Sequence, residues 1–339
     1  MDGSVATIGF FDGVHRGHQF VIGCVVDEAR RRGLEAVVVT FDRHPRAVLA
    51  EMNGGAAAAC GKAVKTNGQT DKKNGQAVKT NVPGCLTTRA LTQQLILQAG
   101  ADRCEVLHFD RQLALLSARD FMQQVLQRQL GVSVLMMGYD NRFGHRSPHS
   151  TEGFDDYVAY GREMGIEVVR LPEFQLGDDM PATAALCSST IRKALAEGNI
   201  SLANACLGRR YTIEGTVVHG YEEGRRLGFP TANLAPESVE QLLPAAGVYA
   251  VEVELPSSAA SAQPLAGMMN IGTRPTFDGH ALSLEVNILG YEGYLYGQRL
   301  SVRFLQRIRG EQHFQSPEAL RLQLETDRQA VLRIVSTTT

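Results

Sequence analysis

Along the first half of the chain, short β-branched and apolar runs alternate with stretches whose apolar positions recur at helical spacing, the pattern of βαβ units around a parallel sheet. Residues 5–10, 35–41, 103–109, 132–138 and 166–171 read as strands, and residues 17–32, 86–99, 117–130 and 152–164 as helices. In the first helix Val21, Cys24 and Val25 share a face and Gly33 supplies the stop. From 188 to 208 two short helices lead away, and after Arg209 the signal turns all-β. Residues 212–218, 248–255, 265–271, 283–289 and 300–305 are short strands between Gly, Pro and Asn turns, as in a small barrel. A last helix over 317–335 carries Leu320, Leu324, Val331 and Ile334 broadly on one face, with Ser316-Pro317 at its start.

The pattern predicts an α/β plus β chain: a Rossmann-like domain over 1–187, a helical connection over 188–208 and a β-barrel domain with a C-terminal helix over 209–339. The alternation breaks over 52–84, where Gly, Ala, Lys, Asn, Gln and Thr dominate, five lysines face one aspartate, and Ala63-Val64-Lys65-Thr66-Asn67 recurs as Ala77-Val78-Lys79-Thr80-Asn81. Such a segment buries little and reads as a solvated insertion, with a basic flap near a phosphate site as the alternative.

Composition adds exclusions. With 339 residues, 44% hydrophobic and 21% charged, the chain has material for a real core and is neither disordered nor fibrous. A net charge of -2 offers no overall basic excess for nucleic acid. The apolar runs fall far short of the roughly 18 residues of a membrane span, and the glycine-rich start resembles no secretory signal, so a cytoplasmic location is expected. Six scattered cysteines without a C-x-x-C pair indicate neither a zinc site nor a disulfide framework, and mostly buried thiols are expected.

The chemistry concentrates in two places. Gly9-Phe10-Phe11-Asp12-Gly13-Val14-His15-Arg16-Gly17-His18 lies where the first strand hands over to a helix, the ligand edge of such a sheet. Two imidazoles with a helix N-terminus can bind triphosphate oxygens and stabilise charge on a leaving pyrophosphate; the plainer alternative is a pair of capping histidines. Ser188-Ser189-Thr190-Ile191-Arg192 opens a helix with hydroxyls and a guanidinium suited to phosphate, although serine at a helix start is ordinary. Gly138-Tyr139-Asp140-Asn141-Arg142-Phe143-Gly144 ends a strand; Asp140 and Asn141 can read a base or ribose and Arg142 can meet phosphate, or the segment is a glycine-bounded turn. His145, His149 and His44-Pro45 read as loop or turn residues.

In the barrel half, the string from Gly220 to Asn233 joins a glycine-rich loop containing Gly228 to Pro230-Thr231-Ala232-Asn233. Thr231 and Asn233, two apart on an extended segment, present neutral oxygens to one face that can hold Mg²⁺ against a nucleotide; a Pro-bounded strand start is the alternative. Glu285, inside a predicted strand, reads either as a general base for phosphoryl transfer or as an outward-facing glutamate.

With Leu86-Thr87-Thr88, Gly247-Val248-Tyr249, Met269 to Phe277 and Leu295-Tyr296-Gly297 added, two motif sets stand in one order along nearly the whole chain, and the sequence resembles the prokaryotic bifunctional riboflavin kinase/FMN adenylyltransferases, the bacterial FAD synthetases. The resemblance implies that riboflavin is phosphorylated to FMN with Mg-ATP in the barrel, and that FMN is adenylylated to FAD in the N-terminal domain with release of pyrophosphate. It assigns adenylyl transfer to His15, His18, Asp140, Ser189, Thr190 and Arg192, with Gly9, Phe11, Asp12, Gly13, Gly17 and Ser188 around the nucleotide. In the kinase it assigns Mg-ATP to Thr231 and Asn233 with Gly220, Gly228 and Pro230, flavin to Arg274 and Asn287, and the base to Glu285. Its implied partners are ATP, riboflavin, FMN and FAD, with neither nucleic acid nor membrane, and it leaves the oligomeric state open. Two departures stand out: Glu285-Val286-Asn287 where the family usually reads Glu-Val-His, and the insertion over 52–84, which opens the alternative of a kinase with a silenced adenylyltransferase domain.

Overall fold

The structure, a computed structural model, describes residues 3–52, 84–139, 141–145, 152–174, 186–220, 223–256, 263–276 and 279–338. It divides into two compact units, one holding the described residues to 52 and Thr88–Cys187, the other residues 84–87 and the described residues from Ser188 onward. Most of the 52–84 insertion and Asp140 lie outside the described residues, as do His149 and the side chain of Arg274.

The first unit is built on a five-stranded parallel sheet of order β3-β2-β1-β4-β5, comprising β1 Ser4–Ile8, β2 Glu35–Phe41, β3 Arg103–Leu107, β4 Val132–Met137 and β5 Glu167–Arg170. Period-two alternation assigns the strand residues to two cores. Val5, Ala36, Val38, Val134 and Met136 pack under α1 (Arg16–Arg32) and α3 (Arg89–Gln98) through Ile22, Val25, Ala29 and Ile96. Ala6, Ile8, Val37, Val39, Leu135 and Met137 face the other way, against Phe121, Met122, Leu126 and Tyr157. Covering both faces explains why Val37, Val38 and Val39 form one unbroken apolar run.

Two local readings change and one element is added. Pro45 opens a helix, α2 (Pro45–Met52), instead of sitting in a turn, as suits proline in a first helical turn. Residues 111–115 form a short helix, α4 (Arg111–Leu115), capped by the Asp110 carboxylate, which accepts from the Leu113 amide at 2.8 Å. The helix expected over 117–130 is α5 (Ala118–Phe121) running into a π-helix, Met122–Gln129, whose five-residue spacing is seen where Leu130 N–H donates to the Val125 carbonyl. Helix α6 (Phe154–Met164) follows, as expected. Among the described residues all five cysteines are free, but only Cys206 is fully buried, so the thiols are less enclosed than expected.

The second unit begins with α7 (Ser188–Ala196) and α8 (Ile200–Leu207) and continues as a closed six-stranded barrel. Its strands are β6 Thr212–Val218, β7 Ala232–Leu234, β8 Gly247–Glu254, β9 Leu265–Thr276, β10 Gly279–Ile288 and β11 Arg299–Arg309, in the cyclic order β10-β7-β6-β11-β8-β9, with the short helix α9 (Glu223–Arg226) before β7. Helix α10 (Pro317–Thr338) lies on the outer wall, where Val331, Leu324 and Ile334 pack with Ala250, Met268 and Leu305. An ion pair fixes it there: the Arg309 guanidinium reaches the fully buried Asp327 carboxylate at 2.9 Å, and Gln323 donates to the same carboxylate at 2.8 Å. No helix among the described residues is long and apolar enough to cross a membrane.

Candidate functional sites

In the first unit the strand order reverses between β1 and β4, and ligands of open parallel sheets bind beyond the carboxyl ends of the strands at that switch point. Both early glycine motifs follow these two strands. Gly9 N–H still donates to the Val39 carbonyl at 3.0 Å; the chain then turns through Phe11 (φ 51°), Gly13 (φ 80°) and Val14 (φ 37°). Left-handed backbone at a β-branched valine is costly and survives where surrounding contacts impose it. Here the Val14 amide closes back on the Phe11 carbonyl at 3.0 Å, and Gln19 Nε2 donates to the Val14 carbonyl at 2.8 Å.

The strained turn delivers two histidines to the N-terminus of the 17-residue α1. His15 is the cap: its Nδ1 accepts from the His18 amide at 3.3 Å, which leaves the ring proton of the neutral form on Nε2. The two rings stack with centroids 3.7 Å apart, and Phe11 meets His18 edge-on at 5.1 Å. Burial first, and the neighbouring His15 second, hold the His18 pKa well below the usual imidazole range; its Nδ1 is sealed from solvent without a hydrogen bond. The pair therefore stands at the positive end of a helix with His18 held neutral, suited to donate hydrogen bonds to phosphate oxygens. Both readings of the motif thus coexist: His15 caps the helix and remains part of the cluster.

Asp12 is buried in this loop, and Gly17 lies so close to His15 that an added Cβ would stand 3.3 Å from the imidazole. After β4, Asn141 is committed to structure, since its amide donates to the Ile8 carbonyl and ties the turn to the end of β1, while Arg142 is exposed. His145 is a loop residue whose amide donates to the Leu116 carbonyl.

Ser188, Ser189, Thr190 and Arg192 belong to the second unit, in the first turns of α7. Arg192 Nε and Nη2 both donate to the Gly84 carbonyl, at 3.1 and 2.9 Å, a contact over 108 residues that sequence spacing does not reveal.

On the barrel, alternation along β10 sends Leu284, Val286 and Ile288 to one side and Glu285 and Asn287 to the other. The register sets Glu285 opposite Asn270 of β9 and Asn233 of β7, and Asn287 opposite Met268. These outward residues line a cleft of about 320 Å³ with Thr231, Phe229, Arg309, Phe314, Leu320 and Leu324. Glu285 accepts from the Ser283 hydroxyl at 2.7 Å, and Asn287 Nδ2 donates to the Pro230 carbonyl at 2.7 Å. Thr231 also borders a second cleft of about 250 Å³, lined by Arg225, Pro230, Val286, Tyr291, Tyr294 and Tyr296. Asn233 lies against Gly220, where any Cβ would strike its amide, and Gly228 adopts φ 83°.

Thr231, Glu285 and Asn287 thus come together in one cleft, and Asn233 joins them through the ladder. Helical spacing put Leu320 and Leu324 on one face but did not show that they wall this cleft with Arg309 and Phe314; Asn270, a polar residue at the outward position of an apolar strand, was a further signal. Among the described residues no cluster of three or more His, Cys, Asp or Glu side chains forms a metal site.

Comparison with known proteins agrees with this division. The FAD synthetase family model matches residues 1–184, and the riboflavin kinase (Flavokinase) model matches residues 207–335. The chain is 34% identical to the bifunctional riboflavin kinase/FMN adenylyltransferase of Escherichia coli K12, over 96% of this chain and 91% of that one. It is 32% identical to the protein of the same name from Bacillus subtilis, over 98% and 93%. A solved structure described as a macrolide-efflux protein from Streptococcus pneumoniae superposes with a TM-score of 0.77 at 28% identity, covering 97% of this chain and 94% of that one. The chain belongs to the bifunctional riboflavin kinase/FMN adenylyltransferase family.

Proposed function

We infer that the chain makes FAD in two ATP-dependent steps, phosphorylating riboflavin to FMN in the barrel and adenylylating FMN in the first unit. The observation behind this reading is the presence of two separately built sites: the stacked His15 and His18 at the switch point, and the cleft that gathers Thr231, Glu285 and Asn287. In the first step Glu285 takes the proton of the ribityl 5'-hydroxyl as its oxygen attacks the γ-phosphorus of ATP, giving FMN and ADP. The cleft between barrel wall and α10 suits a flat apolar ring system, and the second cleft, sharing Thr231 and bordered by tyrosines and Arg225, suits the nucleotide.

The neutral oxygens of Thr231 and Asn233 fit a hard divalent cation that takes its remaining ligands from phosphates and water, and Mg²⁺ held there would neutralise charge on the transferring phosphoryl group. In the second step the FMN phosphate attacks the α-phosphorus of another ATP and pyrophosphate leaves. His15 and His18, with the α1 amides, stabilise the charge that accumulates. The hydroxyls at the head of α7, a segment of the second unit, are assigned to phosphate binding, and a cytoplasmic location suits an enzyme that draws on ATP and riboflavin.

A time course with riboflavin and Mg-ATP, resolved by chromatography, tests the assignment: FMN rises before FAD. Binding of flavin without consumption of ATP would overturn it. A finer check is Gly17→Ala, whose new methyl presses on the His15 ring. Conversion of FMN to FAD is expected to fall about tenfold, because small displacements of catalytic groups are expensive, while riboflavin phosphorylation is unchanged.

A further inference from the structure

Resting on the kinase reading above, we propose that Asn287 is a positioning residue for phosphoryl transfer rather than a flavin contact, its amide holding the Pro230 carbonyl so that Thr231 is fixed in the cleft it shares with Glu285. The ladder between β7 and β10 has two rungs, Asn233 with Glu285 and Ala232 with Val286. The next rung would set Thr231 opposite Asn287, but the segment leaves the strand there, and Pro230 has no N–H to donate. The pairing of β6 with β7 ends at Asn233, so neither ladder reaches the peptide leading into Thr231.

Asn287 supplies a tie there. It is buried, 7% exposed, and Nδ2 reaches the Pro230 carbonyl at 2.7 Å across 57 residues of sequence, extending the sheet bonding by a side chain where the backbone cannot. Thr231 borders both clefts of the barrel, one shared with Glu285 and Asn287 and the other lined by Tyr291, Tyr294 and Tyr296. A residue that sets Thr231 therefore sets the boundary across which the phosphoryl group must pass. The donated hydrogen bond satisfies a carbonyl next to that boundary, and its loss leaves an acceptor unpaired and the peptide free to shift.

The test is steady-state riboflavin phosphorylation by the full chain, with conversion of supplied FMN to FAD followed in the same preparations. Asn287→Leu, close in volume but without a donor, is expected to lower the kinase kcat about tenfold with KM for riboflavin within about twofold of wild type. Asn287→His, which restores a ring N–H, is expected to recover most of that loss. A leucine variant with normal kcat and raised KM for riboflavin would make Asn287 a flavin contact and overturn the proposal, as would a histidine variant no better than leucine. Should the leucine variant fail to fold, Asn287→Asp, which sets a carboxylate against the Pro230 carbonyl, takes its place with the same two outcomes. The wild-type protein is measured first: if it does not phosphorylate riboflavin, the kinase reading itself falls, a result distinct from any difference among the variants.

Discussion

Glu285→Gln is expected to reduce riboflavin phosphorylation by about 10²- to 10⁴-fold, the range associated with a positioned general base, while conversion of supplied FMN to FAD continues at the wild-type rate. Glutamine keeps the length of the side chain and an oxygen able to accept from the Ser283 hydroxyl, which stands 2.7 Å from the present carboxylate. What it loses is the capacity to take a proton. The ladder partners Asn233 and Asn270 depend on backbone pairing and are undisturbed, so the cleft retains its shape. The measurement is chromatographic: riboflavin remains when riboflavin is supplied, and FAD forms when FMN is supplied. Parallel loss of both activities in a folded variant would refute the division of labour between the units.

His18→Leu is expected to produce the mirror image, with FMN adenylylation falling about 10²- to 10³-fold and riboflavin phosphorylation unchanged. The imidazole stands in the first turn of α1, stacked on His15 and braced by Phe11, so its loss removes a preorganised donor and leaves His15 without its stacking partner. A second readout follows from the lowered pKa of His18. The unfolded chain takes up a proton near an ordinary imidazole pKa of about 6.5, whereas burial and His15 resist protonation in the folded state. The unfolded state therefore binds more protons as the medium is acidified, and stability contributed by neutral His18 is full above that pH and lost as pH falls below it. Thermal melts between neutral and mildly acidic pH should show the first unit losing less stability in His18→Leu than in wild type; equal losses would mean that His18 is not kept neutral by the fold.

Much of both sites was legible in the chain. The two histidines three apart after a strand, the glycines around them and the Pro-Thr-Ala-Asn string are local patterns, and the strands β2 and β6 run over the residues that periodicity predicts. The less legible parts are those in which a side chain's task depends on distant backbone. Asn141 has the character of a base-reading residue but is spent on the Ile8 carbonyl, and Arg192 directs two of its nitrogens at Gly84. Likewise, nothing in residues 117–130 distinguishes an α-helix from the π-helix that occupies most of it, because the difference is one residue of hydrogen-bond register set by packing against the sheet.

By itself the sequence determined the alternation of strand and helix, the change from parallel sheet to barrel near Arg209, and the residue types available for phosphate chemistry. Hydrophobic period, helix caps and turn residues act over a few positions, so short windows carry them. Only the tertiary structure decided that β1 and β4 adjoin at the switch point, that α10 closes the outer face of the barrel beside Glu285, and that Asn287 bonds Pro230. Each of these joins residues far apart in the chain, and the burial that stabilises them exists only once the whole core has formed.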